Sequence, residues 1–92
     1  MAKILIPTPL AQHAGGLREV AASGATVQEA LEQLVAQYED LRKHLYNDQG
    51  KLRSFVNIYV NDEDIRYLQR EATPLGDSDI ISIVPSIAGG SR

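Results

Sequence analysis

A chain of 92 residues with a net charge of −3 is expected to make one domain with a single modest core and little room for a buried catalytic pocket. It has no cysteine, which excludes disulfides, iron–sulfur clusters, thiolate zinc sites and a cysteine nucleophile, and its mild acidity argues against nucleic acid and anionic membranes as main partners. Hydrophobic content of 43% and charged content of 23% suit an ordinary globular domain, and without a membrane-length apolar run or a signal stretch after Met1-Ala2-Lys3 the expected location is the cytoplasm.

Residues 3–6, Lys-Ile-Leu-Ile, read as a first strand ended by Pro7 and Pro9. Residues 10–16 read as a loop, with Gly15-Gly16 as a hairpin turn that needs positive φ, and residues 17–21 as the returning strand. The glycine pair is no phosphate loop, because no Lys-Ser/Thr pair follows it. Thr26 and Glu29 have capping-box spacing. Behind them Val27, Ala30, Leu31, Leu34, Val35 and Tyr38 recur at helical spacing and predict one amphipathic helix, the main packing element against a sheet. Leu41, Leu45 and Tyr46 suggest a further short helical turn, followed by a loop over 47–51.

Residues 55–61 are the best strand, with Val56, Ile58 and Val60 alternating with Asn57, Tyr59 and Asn61. Asn61 to Asp64 form a polar turn, and 65–67 a short strand or irregular arm. Residues 73–79 are turn chemistry, and 79–84 are the last strand, closed by Pro85. The order is strand, strand, helix, strand, short strand, strand, which predicts an α+β roll with a mixed sheet on one main helix.

Few constellations in this chain point to chemistry. His13 sits in an expected loop and His44 on a helical turn, without the spacing of a metal site. Asp62, Glu63 and Asp64 lack the calcium-loop pattern and read as a solvated turn. No serine lies in a nucleophile elbow, and the four tyrosines are too dispersed to make a nucleic-acid stacking platform. No catalytic residue, metal or cofactor is expected.

The end of the chain is sharper. After Pro85 come Ser86, Ile87, Ala88, Gly89, Gly90, Ser91 and Arg92. The expected division is a body over 1–86 and a flexible arm over 87–92. A glycine carboxylate has no side chain shielding its carbonyl carbon, and glycine passes a narrow cleft in almost any backbone conformation. Ile87 to Gly90 reach on the order of 13 Å when extended, enough to enter a partner's active site while the body docks outside.

Phe55 to Arg66, then Leu75-Gly76-Asp77-Ser78-Asp79, Ile83-Val84-Pro85 and Ala88-Gly89-Gly90, resemble the ThiS/MoaD family of ubiquitin-like sulfur carriers, above all the branch serving thiocarboxylate-dependent cysteine biosynthesis. The Asn61-Asp62-Glu63-Asp64 turn is the mark of that branch, whereas the Gly-Asp-x-Asp turn and the Gly-Gly end are shared more widely. The resemblance implies a β-grasp fold, with the first and last strands parallel at the sheet centre. It also implies a carrier rather than an enzyme. A ubiquitin-activating-type adenylyltransferase using ATP would adenylate Gly90, a sulfur donor would displace AMP to leave a thiocarboxylate, and a sulfur-accepting synthase would use it. Gly90 would carry the chemistry, with Gly89, Ala88 and Ile87 giving access.

Family members mostly end at Gly-Gly, whereas here Gly90 is bonded to Ser91. The Gly90–Ser91 bond is then the expected processing site, for instance of a JAMM-type zinc metalloprotease; a vector-derived tail is the alternative origin of Ser91-Arg92. The alternatives in function are a carrier for molybdopterin, thiamine or another sulfur-containing metabolite, a ubiquitin-like protein modifier, and a non-covalent adaptor.

Overall fold

A computed structural model describes residues 2–85. The described residues form a five-stranded sheet in the order β2-β1-β5-β3-β4, with one long helix across it. The strands are β1 (Lys3–Leu5), β2 (Glu19–Ala21), β3 (Val56–Val60), β4 (Glu63–Asp64) and β5 (Ile80–Pro85). β1 and β5 run parallel, Ile4 opposite Ile81, and the other pairings are antiparallel. This is the β-grasp, ubiquitin-like roll, with first and last strands side by side at the centre.

The alternation in β3 and β5 explains the layering. Val56, Ile58, Val60, Ile81 and Ile83 point to the core with Ile4, while Asn57, Tyr59, Ser82 and Val84 lie on the other face. The long helix α2 (Val27–Gln37) covers the core face with Val27, Ala30, Leu31, Leu34 and Val35, none more than 2% exposed. Its N-cap is Thr26, whose hydroxyl accepts from Glu29 N–H at 3.3 Å. The Glu29 carboxylate accepts from Ala25 N–H at 2.9 Å, so the reciprocal half of the box lies one residue earlier than the standard pattern. Val27 N–H donates to Thr73 O and Leu75 N–H to Ala25 O, tying the 73–75 segment to the helix start.

The first connection differs from its sequence reading. Residues 10–16 are not a loop. A short helix, α1 (Thr8–Ala11), and a 3-10 turn (Gln12–Ala14) lie between β1 and β2. Pro7 and Pro9 permit this because the N–H groups of a first helical turn have no intrahelical partner to lose. Burial of Leu10, Ala11 and Ala14 drives it. Gly15 and Gly16 have φ of 67° and 81°, as a turn requires, but they end this helical crossing and do not form a tight hairpin turn.

Leu41 and Leu45 are buried on a 3-10 turn (Glu39–Leu41) and a short helix, α3 (Arg42–Leu45). Ile65–Tyr67, expected as a strand or irregular arm, is a 3-10 turn. The Asp64 side chain caps it by accepting from Arg66 N–H, which favours a helical turn over continued pairing with β3.

Candidate functional site

The described part of the site is β5 and what holds it. At its start, Asp79 Oδ2 accepts from Gly76 N–H at 2.7 Å and Asp79 Oδ1 from the Asn61 amide at 2.8 Å. These bonds, the one from Gly76 first, hold the Asp79 carboxyl below its ordinary value. Asn61 Oδ1 accepts from Ile80 N–H at 3.0 Å, and Asn61 N–H donates to Ile80 O at 2.9 Å. Asn61 and Asp62 have φ of 51° and 74°, the left-handed pair of a tight turn between β3 and β4. The two polar motifs singled out in the sequence are therefore one structural device, joining the Asn61 turn to the Gly76–Asp79 turn at the base of β5.

A second network lies near the other end of β5. Arg66 Nη2 donates to Asp64 Oδ2 at 2.7 Å and to Asn57 Oδ1 at 2.6 Å, and Arg66 Nε reaches both Asp64 oxygens at 3.2 Å. The Arg66 side chain, then its backbone N–H, hold the Asp64 carboxyl below its ordinary range. Asn57 stands opposite Val84 and Val56 opposite Pro85, so this network braces β3 beside the last described residue. The expected solvated acidic turn is thus divided: Asp62 and Glu63 are exposed, and Asp64 is buried under Arg66. Among the described residues no group of three or more metal-ligating side chains gathers.

The outer face of the sheet is apolar along the central strands. Leu5, Ile80 and Val84 are 38%, 37% and 44% exposed, with Ser82 and Tyr59 between them in register. Ile87, Ala88, Gly89, Gly90 and Ser91, the residues expected to carry the chemistry and the processing, lie outside the described residues.

One contact had no signal in the sequence. His13 and His44 stack, ring centroids 4.1 Å apart and planes 28° from parallel. They come from the turn after α1 and from α3, which only the packed fold brings together. His44 Nε2 has no hydrogen-bond partner among the described residues. Burial first, then His13, Lys43 and Arg53, lower the His44 pKa. Nearby, burial pushes the Tyr46 phenol up to about 12, with Glu71 and Glu32 adding to it.

A mixed β-grasp sheet with a last strand braced at both ends places the chain in the ubiquitin-like class. It belongs to the ThiS family, whose family model matches residues 4–90. It is 44% identical over 89 residues to the sulfur carrier protein CysO of Mycobacterium tuberculosis, covering 95% of this chain and 96% of that one. A chain in the crystal structure of the Amycolatopsis orientalis BexX/CysO complex superimposes with a TM-score of 0.87 at 37% identity, over 98% of this chain and 100% of that one. The solution structure of small archaeal modifier protein 1 from Methanosarcina acetivorans gives 0.88 at 30% identity, over 97% and 95%. No helix of the described residues is long and apolar enough to cross a membrane.

Proposed function

We propose that this protein is a sulfur carrier whose Gly90 is converted to a thiocarboxylate. The observation that carries the reading is the near full-length similarity to a sulfur carrier protein, in a chain whose family match runs through Gly89-Gly90. Gly90 is bonded to Ser91, so a peptidase, of JAMM type for instance, first hydrolyses that bond. An adenylyltransferase then joins the freed carboxylate to AMP from ATP with release of pyrophosphate. A sulfur donor attacks the acyl carbon, AMP leaves, and the thiocarboxylate passes its sulfur to an acceptor bound by a synthase. Cysteine biosynthesis is the route favoured by the likeness to CysO. The exposed Leu5, Ile80 and Val84 suit docking of the body while residues 87–90 form the arm that enters the active site.

The similarity to a small archaeal modifier protein favours a second reading, in which a lysine amine attacks the same acyl adenylate and makes an isopeptide bond. One assay separates the two. The chain ending at Gly90, the full chain and a Gly90→Leu variant are each mixed with the activating enzyme, ATP and a sulfur donor, then weighed by mass spectrometry. The expected result is one oxygen-to-sulfur exchange in the chain ending at Gly90 alone. Equal turnover of Gly90→Leu would remove the glycine pair from the mechanism, and lysine conjugates without thiocarboxylate would favour the modifier.

A further inference from the structure

β4 pairs only with Tyr59 and Val60, and leaves the rest of β3 without a strand on that side among the described residues. A cleft of about 420 Å³ lies there, with Val56 and Ile58 in its wall. Four cations line it, Lys51, Arg53, Arg66 and Arg70, against two carboxylates, Asp64 and Glu71. The cleft therefore carries +2, which leaves −5 on the rest of a chain whose net charge is −3. Asp64 is already held by Arg66, and among the described residues Lys51, Arg53 and Arg70 have no ion pair.

Two of these cations are positioned by the fold. Arg53 Nε donates to Lys43 O at 2.9 Å, and its guanidinium sits 6.0 Å from the centroid of Phe55. Arg70 has a φ of 54°, a left-handed backbone that a side chain of this size rarely adopts. Thr73, 6% exposed, enforces it: its hydroxyl donates to Arg70 O at 2.6 Å and its N–H to the same oxygen at 3.1 Å. Strained backbone of this kind persists where the surroundings over-determine it, and it concentrates at binding sites.

We infer that this cleft docks an acidic, extended segment of a partner protein. The cations come from separate stretches of chain, Lys51 and Arg53 before β3 and Arg66 and Arg70 after β4, and with the apolar wall of Val56 and Ile58 they suit an extended peptide better than one small anion. Long polyanions, nucleic acid or an anionic membrane, would meet the −5 of the remaining surface. Val56 pairs with Pro85 across its other edge, so a segment held here lies one strand away from the end of β5. No chemistry at Gly90 is needed for this binding, which makes the test independent of the sulfur-carrier reading.

The test is an NMR titration of the full chain with a hexaglutamate peptide, with hexalysine and inorganic phosphate as comparisons at equal ionic strength. Hexaglutamate should shift the amides of Lys51, Arg53, Arg66 and Arg70, hexalysine should leave them in place, and phosphate should not displace the peptide. Arg70→Glu should weaken the peptide by about fivefold or more. Arg18→Glu, an exposed residue beside β2 with the same change in net charge, should alter binding by less than about twofold. Lys51→Glu supplies the same reading if Arg70→Glu does not fold. Absent or scattered shifts, displacement by phosphate, or equal weakening by Arg18→Glu would overturn the inference.

Discussion

Replacing Gly24 by alanine should be among the most damaging single-methyl changes in this chain. Gly24 has a φ of 123°, outside the regions open to L side chains, and an added Cβ would stand 2.7 Å from Glu29 Cβ and 3.2 Å from Ala30 N. Both neighbours belong to the first turns of α2, where Glu29 also caps Ala25 N–H, so rotating a side chain relieves little. The backbone conformation costs about 1–3 kcal/mol and the overpacking about 1–3 kcal/mol more, for a total of about 2–6 kcal/mol. Gly16→Ala isolates the first term: φ is 81° and nothing lies within 4 Å of the added Cβ, so about 1–2 kcal/mol is expected. Urea titrations should rank the two in that order, with the melting temperature falling by about 4–8 °C per kcal/mol. A Gly24→Ala variant no less stable than Gly16→Ala would refute the packing described at the start of α2.

Leu31→Ala should destabilise by about 2–5 kcal/mol, because Leu31 is fully buried, whereas Thr26→Ala removes a cap bond of 3.3 Å between exposed groups and should cost about 1 kcal/mol or less. Denaturant midpoints with the reverse ranking would show the apolar stripe of α2 to be misplaced. The His13–His44 stack predicts a pH dependence. The folded-state pKa of His44 lies below its ordinary 6.5, so its stabilisation is fully present above that value and is lost as pH falls below it toward the folded value. The groups facing it are His13, Lys43 and Arg53, which oppose its charging, and Asp40, which favours it. His44→Gln should therefore lose less stability than wild type between about pH 8 and pH 5.5, the interval around the ordinary histidine pKa. Parallel pH profiles of the two proteins would contradict this.

What the sequence made legible was whatever repeats with a period. The stripe from Val27 to Val35 and the alternation of Val56, Ile58 and Val60 place α2 and β3 on the core from composition and spacing alone. The helix α1 was not legible, since four residues after a proline carry no period and form because Leu10, Ala11 and Ala14 find a core to cover. The His13–His44 stack and the bond from Asn61 to Asp79 join residues far apart in the chain, and nothing local tells which residue each one meets.

The polar residues most visible as motifs gain their meaning from those distant contacts. Asn61 and Asp79 hold the first residue of β5, and Asp64 acts through Arg66 on Asn57, beside Val84 and Pro85 near the strand's other end. Short side-chain bonds of this kind leave a strand little freedom to slip against its neighbours. A reaction at Gly90, as proposed, would depend on where the arm over 87–90 begins, because an error in origin or direction carries through to the reacting carbon. Under the proposed function, in which partners supply the acids, bases and ATP, the contribution of the body would be to fix that origin. That role would account for turn motifs whose polar side chains bond to one another and to the backbone of β5.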